Sequence, residues 1–226
     1  MQNALETALA GIAGETVNVT CAGRTDRGVH ARAQVVHFDT AAQRPDSAWV
    51  RGVNALLPDT VAVLWSRPVP DDFHARFSAF ARTYRYQLLN RPVRPALAAT
   101  HAGWFHLPLD IERMREAAAQ LVGEHDFTAF RSAECQAKSP VRTIHRFDVT
   151  RHGEEIQFVV RANAFLHHMV RNLVGMLVYV GKGAHPPAWA KEVLLSKDRG
   201  KGAPTFGPEG LYLEKIEYDP KWGLPQ

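Results

Sequence analysis

The chain carries 226 residues, 46% of them hydrophobic and 22% charged, with a formal charge of +4 and a pI near 9.2. These values match a folded, water-soluble protein long enough for two domains of ordinary size, and the excess of arginine suits a polyanionic partner without proving one. No stretch is long and apolar enough to span a bilayer, the first residues lack the basic start and apolar run of an export signal, and Cys21 and Cys135 have neither metal-type nor redox-pair spacing. Reduced thiols and a cytoplasmic location are expected.

The chain opens on a predicted helix, because Ala4, Leu5, Ala8, Leu9 and Ile12 recur at helical spacing until Gly14. Residues 16–21 then alternate Val17, Val19 and Cys21 against Thr16, Asn18 and Thr20, the period of a half-buried strand. AQVVHFDT resumes a strand at 33–40, so GRTDRGVHAR at 23–32 reads as the loop between two strands. A helix is expected over 45–57 with Trp49, Val53, Leu56 and Leu57 on one side, followed by the β-rich run VAVLW between Pro58 and Pro68. ARTYRYQLLN at 81–90 is a strand in which Arg82, Tyr84, Tyr86 and Leu88 share a face, closed by Pro92 and Pro95. A domain junction is placed there, giving an N-terminal half of 1–90 and a C-terminal half of 91–226.

The second half repeats this grammar. A helix is expected at 110–122, strands at 141–151 and 155–162, helices at 165–181 and 187–196, a glycine-rich loop, and a last strand in LYLEKIEYD. Helices with antiparallel-looking strands in both halves predict an α+β fold.

Asp26 is the one acid in a loop of bases. On spacing alone it reads as a turn residue accepting local N–H bonds. Arg24 and Arg27 can instead hold the carboxylate ionised, which makes it a poor general acid and an available nucleophile. Arg24, Arg27, His30 and Arg32 also suit phosphate contacts. On the strand at 81–90, Tyr86 and Leu88 read as core, whereas Tyr84 lies between Arg82 and Arg85, where a ring can stack on a base. In FLHHMVRNLVGMLVYV, His167, His168, Arg171 and Asn172 fall on one arc of a helical wheel, opposite Leu166, Met169, Val170, Leu173 and Leu177. Arg171 therefore needs an anionic or hydrogen-bonding partner, Asp26 or a phosphate, since an unpaired buried charge is expensive. A metal site on the paired histidines is disfavoured, because adjacent helical positions point in different directions and no carboxylate at useful spacing joins them.

GRTDRGVHA, FSAFARTYRYQLLN, ANAFLHHMVRNLVGML and EGLYL, in that order along the chain, resemble the tRNA pseudouridine synthase A family. The resemblance runs from residue 2 to about residue 219, and its first motif is highly specific; position 27 is arginine where alanine is common in the family. It implies two α/β halves whose mainly antiparallel sheets form one continuous pseudouridine-synthase-type sheet, working as a homodimer. It also implies isomerisation of uridine to pseudouridine at positions 38 to 40 of the tRNA anticodon stem-loop, without metal or organic cofactor. Asp26 matches the catalytic aspartate, Tyr84 the tyrosine lying against the target base, Arg171 the arginine paired with the aspartate, and Arg24 the arginine of the nucleophile's loop. Arg27, His30, Arg32 and Arg82 are assigned to the RNA. Family members normally begin with a further strand and a Trp-Gln-Arg-Gln-like segment ahead of the opening helix. Their absence here leads to the expectation of a mis-set or truncated start, with a missing first strand. The competing readings are an RNA-binding module without catalysis and a metal-dependent phosphohydrolase using Asp26 with the paired histidines His167 and His168.

Overall fold

The computed structural model describes residues 1–225. In chain order its main elements are α1 (Gln2–Ala13), β1 (Thr20–Cys21), β2 (His30–Ala31), β3 (Val36–His37), a π-helical turn (Ala48–Gly52) running into α2 (Val53–Leu56), β4 (Ala79–Asn90) and β5 (Gly103–Phe105). There follow α3 (Ile111–Ala119), β6 (Gly123–Asp126), β7 (Val141–His152), β8 (Glu155–Ala162), α4 (Met169–Gly181), α5 (Trp189–Ser196) and β9 (Leu211–Tyr218). The fold is α+β. Two compact units are present, each assembled from separate stretches of chain. One takes Met1–Arg24, Gln34–Ala79 and the residues from Glu217 onward, the other Thr25–Ala33 and Phe80–Ile216.

In the first unit, α1 ends where Gly14 turns left-handed (φ 78°) and donates its N–H to Ala10 O at 2.8 Å. Ala8, Leu9 and Ala13 of this helix pack with Val17, Val19, Trp49 and Val53. Val17 and Val19 are buried while Thr16 and Asn18 are exposed, as the alternation requires. Only Thr20 and Cys21 pair as a strand, however, antiparallel to His37 and Val36. Val19 instead finds side chains of α1: its N–H donates to Glu6 Oε1 (3.1 Å) and its carbonyl accepts from Gln2 Nε2 (3.4 Å). The run at 61–65 is not a strand either. The Asn54 side-chain amide takes both backbone groups of Val63, accepting from N at 2.7 Å and donating to O at 2.8 Å, and so stands in for a neighbouring strand. The segment 45–57 is helical from Asp46 to Leu56, but over Ala48–Gly52 it is a π-turn that spends an extra residue per turn. Trp49 and Val53 stay buried, but Leu56 is turned out to solvent.

The second unit is built on a sheet of order β2-β9-β4-β8-β7-β6, with β5 alongside β4. The pairs β4–β8, β7–β8 and β6–β7 are antiparallel, and β2–β9 and β4–β5 parallel. Ile156, Phe158, Val160 and Ala162 alternate into the core from β8, facing Tyr86 and Leu88 of β4. In β7 a register shift between Ile144 and Arg146 moves the buried set from even to odd positions, so that Phe147 and Val149 follow Ile144 inward. α3 covers this face with Met114, Ala117 and Ala118, joined by Leu121 just past its end, and α4 with Met169, Leu173, Met176 and Leu177. Asp110 caps α3, its carboxylate accepting from the N–H groups of Glu112 and Arg113. Among the described residues no helix is long and apolar enough to cross a membrane.

Candidate active site

Asp26 opens a tight turn in the second unit. Its carbonyl accepts from Val29 N at 3.1 Å, and Gly28, third in the turn, has φ 84°. Glycine is needed there twice over: L side chains avoid that φ, and a Cβ would come within 3.0 Å of the Pro208 ring. Directly after the turn, His30 and Ala31 pair with Tyr212 and Leu213 of β9, and Arg32 N donates to Leu213 O at 2.9 Å. The acid thus sits on a short turn whose exit is stitched into the sheet.

Three side chains, one from the first turn of α4 and two from the residues just before it, converge on its carboxylate. Arg171 Nη1 donates to Oδ2 at 3.0 Å, His167 Nε2 lies 3.1 Å from Oδ1, and His168 Nε2 lies 3.1 Å from Oδ2. The Asp26 side chain keeps 24% of its exposure and Arg171 only 14%, so the pair is sheltered yet reachable from solvent. Arg171 is itself aimed by its Nε, which donates to Phe206 O at 2.8 Å. Burial holds the His168 imidazole below its ordinary pKa against the pull of Asp26, with His167 and Arg171 adding to the lowering. The ring is accordingly neutral near pH 7.

The helix expected from 165 begins at Met169. His168 precedes it in the left-handed conformation (φ 61°, ψ 3°). The wheel argument that turned the two histidines apart therefore fails: the backbone reverses between them, their rings lie 4.0 Å apart, and both reach Asp26. On sequence grounds these histidines have a role only in the disfavoured metal-dependent reading and none beside Asp26 in the synthase reading. The signal was present in the pair HH ahead of an arginine, but its meaning depends on where the helix starts.

Behind Arg171, Asn172 is buried at 2% exposure and ties three segments together. It donates to Phe130 O (2.8 Å) and accepts from Arg199 Nη2 (3.0 Å) and Thr205 Oγ1 (2.6 Å). One turn on, Gly175 lets the loop at 204–206 lie against α4, where any Cβ would collide with the carbonyl of Pro204. Close approach is what brings the Phe206 carbonyl onto Arg171.

The other candidate residues are placed as follows. Tyr84 is half-buried on β4, edge-on to Phe165 with ring centroids 5.0 Å apart. Arg82 Nη1 donates to Asn163 O at 2.9 Å. His30 is stacked between His101 and Tyr212, and its Nε2 is 2.8 Å from Thr100 O. Arg32 forms an exposed ion pair with Glu214, which also binds Arg85. Arg27 is exposed on the turn beside Asp26, and Arg24 is exposed in the first unit. Of the residues singled out in sequence, Asp26 and Arg171 are thus in contact, while His30 and Arg32 are engaged elsewhere on the sheet.

A sequence profile for the family described as tRNA pseudouridine synthase matches residues 1–78 and 117–219. The chain is 59% identical over 225 residues to a tRNA pseudouridine synthase A of Dechloromonas aromatica, covering all of this chain and 86% of that protein. It is likewise 59% identical to one of Burkholderia thailandensis, of which it covers 83%, and 57% identical to one of Methylobacillus flagellatus, of which it covers 86%.

Proposed function

Because the chain belongs to the tRNA pseudouridine synthase family, we propose that it isomerises uridine to pseudouridine in the anticodon stem-loop of tRNA, at positions 38 to 40, with Asp26 as the nucleophile. The observation that carries this reading is the Asp26 carboxylate, part-exposed and bound at once by Arg171, His167 and His168. In such a site the carboxylate attacks either the uracil ring or the ribose anomeric carbon. The bond between that carbon and ring nitrogen 1 breaks, the base rotates, and a new bond forms to ring carbon 5. Carbon 5 gives up its proton and nitrogen 1 takes one on. The reaction gains and loses no atoms or electrons, so no cofactor is called for.

Within a stem the nucleotide must leave the stack before a carboxylate can approach it, at a cost of a few kcal/mol. Tyr84, Arg171 and Arg24 are assigned to the substrate, the tyrosine against the displaced base. Arg27, His30, Arg32 and Arg82 are assigned to the RNA backbone. His167 and His168 join them as groups that orient the carboxylate. A homodimer acting in the cytoplasm completes the reading.

The test is an unmodified tRNA transcript incubated with the protein and mapped for pseudouridine. Product is expected at positions 38 to 40 and is expected to vanish with Asp26→Asn. Tight tRNA binding by the unaltered protein with no product would replace this reading with that of an RNA-binding module.

A further inference from the structure

We propose that Asp26, His167 and His168 form a binding site for a divalent cation of the zinc class, and that the bound ion switches the nucleophile off. One ligand atom from each of the three residues lies within 4.8 Å of the other two, and the imidazoles flank the carboxylate, His167 Nε2 at 3.1 Å from Oδ1 and His168 Nε2 at 3.1 Å from Oδ2. A tetrahedral ion with bonds of about 2.0–2.2 Å sets its ligand atoms roughly 3.3–3.6 Å apart, a spacing that small side-chain rotations give the three donors. The left-handed backbone at His168 is what makes neighbouring histidines chelate instead of diverging.

The donor set also selects the class of ion. Two imidazoles and one carboxylate suit zinc, copper or nickel, whereas calcium and magnesium require oxygen shells. Three protein ligands leave a fourth position for water. Arg171 does not close the site. A carboxylate has about four lone-pair positions, and Arg171 occupies one on Oδ2 while held by Phe206 O. Its positive charge weakens the ion's hold, which makes the site reversible rather than structural. Coordination through Nε2 uses the tautomer of each neutral ring that carries its proton on Nδ1, replaces the Nε2 contacts with metal bonds and commits a carboxylate lone pair to the ion, so the carboxylate is withdrawn from attack.

Two measurements on the full chain test this, and the first needs no tRNA, so it is read separately from the synthase reading. Titration with Co²⁺ as a spectroscopic probe should give one equivalent with the intense visible bands of a tetrahedral ion, displaced by Zn²⁺. Asp26→Asn, His167→Gln and His168→Gln should each weaken Co²⁺ binding by more than about 100-fold, since even groups behind a ligand are worth about 10–100-fold. Unchanged Co²⁺ bands in all three variants, or no binding by the parent, overturns the site. In the second measurement, saturating Zn²⁺ should abolish pseudouridine formation and a chelator should restore it. Zn²⁺ bound at this site with undiminished product formation overturns the switch.

Discussion

His168 holds a backbone conformation that costs an L-residue about 1–2 kcal/mol, and the return on that strain is its imidazole on Asp26. Replacing the ring with two different small residues separates backbone from side chain. His168→Gly loses a hydrogen bond of about 1 kcal/mol but is relieved of the strain, so its unfolding midpoint in denaturant should stay close to the parent's. His168→Ala keeps the strain and loses the same bond, and should be less stable than the glycine variant by about 1 kcal/mol. Both should form pseudouridine more slowly. At this scale the sequence was informative about charge and silent about geometry. Arg171 needed an anion because its helix face is apolar on the far side, and Asp26 is that anion. The histidines could not be placed from a wheel, because a wheel presumes a helix at 165–168 where the chain makes a left-handed turn.

Elements were legible where they satisfy their own backbone. β4, β7 and β8 pair with each other over long stretches, so their alternation reads directly as strand. The run at 16–19 alternates as well and that at 61–65 is rich in β-formers, but the backbone groups of Val19 and Val63 pair with the side chains of Gln2, Glu6 and Asn54, which no sequence pattern reveals. The contact of α4 with the loop at 204–206 belongs to the same class: it depends on a missing methyl group at Gly175. Gly175→Ala should cost about 1–3 kcal/mol by overpacking, seen as a lower midpoint in denaturant. The shifted loop would carry the Phe206 carbonyl off Arg171, so activity should fall further than stability at temperatures where the variant remains folded.

At the scale of the whole molecule, two compact units share a chain that passes repeatedly between them, an arrangement that no shift in composition marks. Stability in the first unit should depend on pH through His37. Burial, aided by His74 and opposed by Asp39, lowers its pKa below the ordinary value of 6.5. Its Nδ1 accepts from Ala75 N at 3.1 Å, which a protonated ring cannot do. The unfolded chain therefore binds the proton first, and the contribution, complete above about pH 6.5, is lost as the pH falls through the lower folded-state value. His37→Asn, which retains an acceptor that does not titrate, should flatten the dependence of the denaturant midpoint between about pH 7 and 5. The basic surface has its own signature. If Arg27 meets a phosphate, Arg27→Ala should weaken tRNA binding and reduce the slope of log K against log salt by about 1.

The pairing of His30 with Tyr212 also imposes an order of events during synthesis. The turn bearing Asp26 is made early, yet its exit is stitched to β9 and its partner arginine is aimed by the carbonyl of Phe206. A nascent chain can complete α1 and much of the sheet while Asp26, the proposed nucleophile, still lacks a seat. With Asp26 in the proposed role, catalytic competence then arrives in one late step, when β9 leaves the ribosome and closes a loop spanning most of the protein, a long-range contact of the kind that folds slowly. Until that moment the growing enzyme can lie beside its own substrate, the tRNAs of the translating ribosome, without acting on it.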